Sequence, residues 1–180
     1  MTNEEKTKTI VESLTNNALG DIKKASLGGS KLGAFILSSC LIEAMAGFIS
    51  GQDTAGDDYK YFVTHYMPTY DGIKLYKDLR CKLVHSYTEG GSYFFVDAKP
   101  ELHMKRYGSK LIINLENFIS DVENALKQFC AQLQNPSRPQ VLQNVFKRFD
   151  KNGIISVVAT PSLNASASQS TLSEPTSGNT

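Results

Sequence analysis

Net charge is the first thing this chain lacks: 19 Lys and Arg stand against 18 Asp and Glu, leaving +1 over 180 residues. That balance excludes a protein held to nucleic acid by long-range attraction, so any RNA contact has to be local. Cysteine is scarce too. Cys40, Cys81 and Cys130 are odd in number, widely spaced and free of any CxxC pair. They point away from a disulfide framework or a zinc site and toward a reducing compartment. Met1 to Lys6 lack the basic-then-apolar layout of a signal peptide, which makes the cytoplasm the expected location. There is no internal repeat and no phosphate-binding glycine loop, and no Ser-His-Asp arrangement can be read.

What the chain has instead is apolar periodicity, with 41% hydrophobic residues. One domain over 1–159 followed by a tail over 160–180 is the expected organisation. Residues 4–25 read as a first helix with Glu4 and Glu5 in its first turn and Ile10, Val11, Leu14, Ala18 and Ile22 as its buried stripe. Gly28-Gly29-Ser30 reads as a break and a new N-cap. Residues 31–50 are apolar nearly all round. They suit a central core helix better than a membrane span, because the length barely reaches a bilayer and Ser38, Ser39 and Glu43 interrupt it. After a polar loop over 52–58, residues 59–67 form a short aromatic helix closed by Pro68. Its His65 has no second ligand at metal spacing and reads as a surface or packing residue.

Beyond Gly90-Gly91 the period changes. Residues 92–97 and 110–114 are β-branched and aromatic runs separated by Pro100 and Gly108, predicting a small hairpin over about 92–114. Its connection holds His103, Lys105, Arg106 and Tyr107, a composition that ordinary exposed turns share with RNA-binding loops. Residues 115–134 are the cleanest amphipathic helix, from Leu115 through Phe118, Val122 and Phe129 to Leu133. One more short helix over 140–149 carries Lys147 and Arg148, which with Lys151 read as a solvated face. Residues 154–159 could make a stray strand. From Thr160 onward ten of 21 residues are Ser or Thr, so the tail is expected to be disordered.

The chain is organised around residues 71–87, where Asp71 is the expected N-cap and Gly90-Gly91 the stop of a helix. At about 100° per residue, Ile73, Tyr76, Leu79, Leu83, Val84 and Tyr87 gather into one apolar arc. Arg80 falls within it. A guanidinium buried without a partner costs several kcal/mol, so Arg80 demands an anion or a partner chain. His85 projects roughly 140° away on an ideal helix. The two therefore converge only if the helix unwinds near His85 or a second copy completes the site.

The spacing Arg80-x4-His85-x-Tyr87, at the end of an amphipathic helix among several others, resembles the signature of the HEPN domain (higher eukaryotes and prokaryotes nucleotide-binding). The resemblance extends over about residues 5–135 in helix order and about a dozen residues in sequence. It implies a mainly α fold, an up-and-down bundle of four to six helices with the hairpin inserted after the motif helix. It also implies a homodimer through the motif face and RNA cleavage with no cofactor and no metal. The ribose 2′-hydroxyl would attack the adjacent phosphate to leave a 2′,3′-cyclic phosphate. His85 would be the acid or base and Arg80 the phosphate and transition-state stabiliser. Lys82, Lys105 and Arg106 are the expected RNA-binding cations.

Three auxiliary residues carry open readings. Glu43 either belongs to a narrow solvated strip with Ser39 and Ser50, the preferred reading because paired buried charges are the exception, or meets Arg80 across the core. Cys81 stands where the family often has Asn, Asp or His. Tyr87 matches the modified tyrosine of HEPN toxins paired with a nucleotidyltransferase, although a core aromatic is the preferred reading on this arc. Against the enzyme stands a non-catalytic HEPN scaffold for dimerisation or nucleotide binding.

Overall fold

The computed structural model describes residues 1–154 except Ala55, Glu89 and Pro136. The expected tail, and all of the expected strand but Ile154, lie outside the described residues. The described chain is a helical bundle with one small sheet.

Helix α1 (Asn3–Glu12) opens on a capping box: the Thr2 hydroxyl accepts from the Glu5 N–H at 3.2 Å, and the Glu5 carboxylate accepts from the Thr2 N–H at 2.6 Å. A π-helical stretch, Ser13–Leu19, joins it to α2 (Gly20–Leu27). The wide turn alters the expected stripe. Leu14 and Leu19, five residues apart, are both buried, whereas Ala18 is half-buried.

Helix α3 (Lys31–Ser50) is central, packing on α2, on α4 (Gly56–Tyr66), on α7 (Leu115–Leu133) and on α8 (Pro139–Asn152). Ser30 precedes it but makes no side-chain cap. Among the described residues α3 alone is long and apolar enough to cross a bilayer. Here Phe35, Ile42 and Met45 are enclosed by helices of the same chain. Helix α7 keeps its expected apolar face, and Asn114 caps it by accepting from the Asn117 N–H at 3.1 Å.

The sheet differs from the expected hairpin. Strand β1 (Tyr93–Val96) runs parallel to β3 (Lys110–Asn114), with Tyr93 opposite Leu111. The antiparallel partner of β3 is β2 (Arg106–Tyr107), and the order is β1-β3-β2. The reason is connection length: residues 97–109, which include a 3₁₀ turn over Pro100–Leu102, are long enough for a crossover, which parallel pairing requires and a tight turn cannot supply.

The motif run comprises α5 (Gly72–Leu75), a second π-helical stretch (Tyr76–Leu83) and α6 (Val84–Ser86). Asp71 caps it as expected, accepting from the N–H groups of Ile73 and Lys74 at 3.0 and 3.1 Å. The buried face is not the expected arc. Leu75, Asp78, Leu79 and Leu83 face inward, while Ile73 is 65% and Tyr87 66% exposed. A 3.6-residue period over the whole run misplaces its two ends, since the turn widens in the middle. The helix stops at Ser86, before the glycines, where Tyr87 adopts a left-handed backbone (φ 53°). Gly90 serves a different purpose: a side chain there would collide with the buried Asp78, whose carboxylate accepts from the Ser92 N–H at 2.6 Å.

Candidate functional site

Within the second π-helical stretch the backbone bonds run five residues back. The Val84 N–H reaches the Leu79 carbonyl, so residues five apart come into register on successive turns. Arg80 and His85 are five apart. Their side chains meet within one chain, Arg80 Nη1 standing 2.7 Å from His85 Nε2. Of the two routes to convergence, local helix unwinding is the one taken, and no second copy is needed to bring these groups together.

Glu43 on α3 completes the cluster. Its Oε2 accepts from Arg80 Nε at 2.6 Å, with the two side chains 25% and 19% exposed. The solvated strip is thereby overturned: Ser39 is fully buried and bonded to the Tyr59 hydroxyl at 3.2 Å, and Glu43 is an ion-pair partner. The spacing of Ser39, Glu43 and Ser50 along α3 carried no information about which neighbours cover it. Burial works against the Arg80 charge, but the bond and charge of Glu43 outweigh it and leave the Arg80 pKa raised. Because guanidinium only donates, His85 Nε2 accepts and bears no proton in this arrangement. Arg80 thus has one edge fixed by Glu43 and another on an exposed imidazole.

The surroundings are aromatic and sulfur-bearing. Cys81 is half-buried and bonded to the Tyr76 hydroxyl, whose pKa is raised by burial first and by the thiol second. Tyr76 packs at 5.4 Å from the Tyr59 ring, with the Lys60 ammonium 5.5 Å above it. Cys40, one turn before Glu43, is exposed at its edge, with burial of its thiol raising the pKa.

Other expected site residues stand apart. Lys82 is exposed on the motif run itself. Lys105 and Arg106 are exposed at β2, with Arg106 opposite Leu111 on β3, and among the described contacts neither touches the Arg80 cluster. Tyr87 is corrected outright: the end of the helix turns it out of the core into solvent. His65 behaves as expected for a surface residue, donating Nδ1–H to the Tyr61 carbonyl at 2.8 Å and stacking on the Tyr61 ring.

Two groupings escaped the sequence reading. Among the turn residues expected beside RNA, His103 belongs to a half-buried network. Its Nδ1 accepts from the Asn114 N–H at 3.1 Å, and its Nε2 lies 3.1 Å from the Tyr70 hydroxyl. That hydroxyl donates to Asp121 at 2.7 Å. A backbone N–H can only donate, so Nδ1 is bare and the ring neutral. Burial lowers the His103 pKa despite the nearby Asp121. The second grouping centres on Arg148, which crosses α3 above Phe48 (4.8 Å) and donates to the Ala44 carbonyl instead of facing solvent. Neither had a local signal, since the partners are far apart in sequence.

Among the described residues no three His, Cys, Asp or Glu side chains are grouped as metal ligands would be. A hollow of about 650 Å³ has Val11, Leu133, Leu142 and Phe146 in its walls and lies away from the Arg80 cluster. Its rim carries the exposed Lys8–Glu12 ion pair, 3.9 Å apart, and none of the Arg80 cluster's side chains. The chain matches no family model, no curated protein and no solved structure.

Proposed function

We propose that this chain is a HEPN-like domain protein and cleaves RNA as a homodimer without a metal ion. The observation that carries the reading is the contact between Arg80 and His85, buttressed by Glu43. It couples a fixed cation to an imidazole, the two kinds of group that phosphate binding and hydroxyl deprotonation call for. An incoming phosphate oxygen replaces His85 as an acceptor for Arg80, which frees Nε2 as a base. Nε2 then takes the proton of the 2′-hydroxyl, the oxygen attacks phosphorus, and the bond to the 5′-oxygen breaks. The products are a 2′,3′-cyclic phosphate and a 5′-hydroxyl. Arg80 donors stabilise the charge that builds on the phosphoryl oxygens. The leaving oxygen needs a proton as the nucleophile loses one, and each chain contributes one such imidazole. His85 of the partner subunit, once its Nε2 has left the guanidinium and taken a proton from solvent, is the natural acid, and the motif face the natural interface.

The test is purified full-length chain with structured RNA in EDTA, with product ends analysed for cyclic phosphate. Cleavage that disappears in His85→Ala at unchanged fold is the expected result. Inert wild type and mutant, with Arg80→Ala unfolding or monomerising the protein, would instead establish a non-catalytic scaffold. That second reading draws support from Arg80 being engaged twice within its own chain. The exposed Tyr87 ring favours a third, a partner for a nucleotidyltransferase. Copurification with such an enzyme and a mass shift on Tyr87 would identify it.

A further inference from the structure

Glu43 has a second side. Besides pairing with Arg80 it lines a hollow of about 360 Å³ shared by Cys40, Glu43, Ala44, Asp53, Thr54 and Arg148, within the size range of small-ligand sites. Its charges are not equally engaged. Glu43 is paired with Arg80, and Asp53 is bonded to Lys151 at 3.1 Å and Asn152 at 2.6 Å. Arg148 is different: among the described residues its guanidinium has no carboxylate in ion-pair contact, and its one hydrogen bond is to the Ala44 carbonyl. Burial lowers the Arg148 pKa more than Asp53, Glu43 and Asp58 together raise it. The guanidinium is held in place by the Phe48 ring beneath it and by Gly47, where any side chain would occupy its position and that of the Thr54 hydroxyl. A half-buried fork with spare donors at the rim of a hollow is suited to an anion.

We propose that Arg148 is the anion-binding residue of a second phosphate subsite beside Arg80, so that the substrate is a strand carrying at least two successive phosphates and not a mononucleotide. The inference rests on the ribonuclease reading above: Arg80 takes the scissile phosphate and Arg148 a neighbouring one. Glu43, which bonds Arg80 and also lines the hollow at Arg148, joins the two subsites.

The test measures binding of the full chain to two probes as salt is varied. One is a short fluorescein-labelled 2′-O-methyl oligoribonucleotide, which internal attack cannot cleave; the other is a nucleoside 3′-monophosphate. Arg148→Met should weaken the oligonucleotide about tenfold and flatten its log–log salt dependence by about 0.7, leaving the mononucleotide unchanged. Arg148→Lys, which keeps charge and most of the packing, should retain the salt slope and lose severalfold in affinity for the oligonucleotide alone. Unchanged oligonucleotide affinity in a folded Arg148→Met, or in Arg148→Lys should Met not fold, overturns the second subsite. So does an equal loss for both probes. Wild type that binds neither probe and cleaves no RNA brings down the ribonuclease reading itself, an outcome distinct from wild-type binding that Arg148 does not influence.

Discussion

His85 and His103 each sit beside a carboxylate-bearing cluster, and the contrast between them separates a site from a support. Around His103 every polar edge is used: a backbone N–H fills Nδ1, the Tyr70 hydroxyl faces Nε2, and Asp121 accepts a hydrogen bond from that hydroxyl. The ring bridges β3 and α7 to Tyr70, and its side chain is 13% exposed. Around Arg80 and His85 only one side is closed. Glu43 anchors the guanidinium from α3, while the imidazole is exposed and its one described bond is to a group that an anion could draw away. A network with all its donors and acceptors spent holds a fold together. A cluster fixed on one flank and open on the other retains bonds to give to a ligand.

The sharpest way to break this comparison is to remove each ring. On the proposed ribonuclease function, His85→Ala should lower the RNA cleavage rate by a factor on the order of 10²–10⁴, the usual weight of a positioned acid or base, with the melting temperature unmoved because the side chain is exposed. His103→Ala should do the reverse, costing about 2 kcal/mol of stability by stranding buried polar partners. Its cleavage rate, measured where the variant is folded, should stay at the wild-type level. Equal loss of activity in both variants would erase the distinction.

Next in size is the anchor. Glu43→Ala leaves the Arg80 charge without its carboxylate and should cost about 2 kcal/mol in chemical denaturation, the scale of a hydrogen bond to a charged group. Glu43→Gln keeps an acceptor for Arg80 Nε and should recover about half of that. A Gln variant no better than Ala would mean that the charge of Glu43, and not its bond geometry, holds the guanidinium. Smaller still is the cap. Asp71→Ala removes the acceptor for two N–H groups at the head of the motif run and should cost about 1 kcal/mol. The Lys74 N–H leads the interactions that lower the Asp71 pKa, and with the Lys74 side chain it outweighs the upward push of partial burial. The cap's contribution is therefore present above the ordinary aspartate pKa and is lost as pH falls through the depressed one.

How far each region could be read in advance follows from how its information is written. The Asp71 cap, the apolar face of α7 and the Arg80–His85 spacing are local patterns and were legible. The convergence of Arg80 on His85 was not, because an apolar period near 3.6 does not announce a turn that bonds five residues back. Asp78 gave no sign of burial, since its partner is the Ser92 backbone and the room it needs comes from Gly90. The parallel β1–β3 pair carries the same β-branched composition as a hairpin; only the crossover length distinguishes them. Tyr70 and Asp121, 51 positions apart, and Arg148 over Phe48 meet only once the bundle is packed.

The gentlest test of the contrast is pH. His103 has its pKa lowered by burial, with Asp121 pulling the other way and Tyr70 neutral beside it. Between that lowered value and the ordinary histidine pKa near 6.5, the unfolded chain binds more protons than the folded one. Stability therefore rises with pH across this window: it is complete above about 6.5 and declines as the solution is acidified toward the folded-state pKa. One group bounds the slope at about 1.4 kcal/mol per pH unit. Urea titrations at a series of pH values should show this decline, and His103→Gln, which cannot take up the proton, should flatten it even if its absolute stability is lower. A slope that survives the loss of His103 would mean that this ring is not the group coupled to folding, and its assignment as a support would fail.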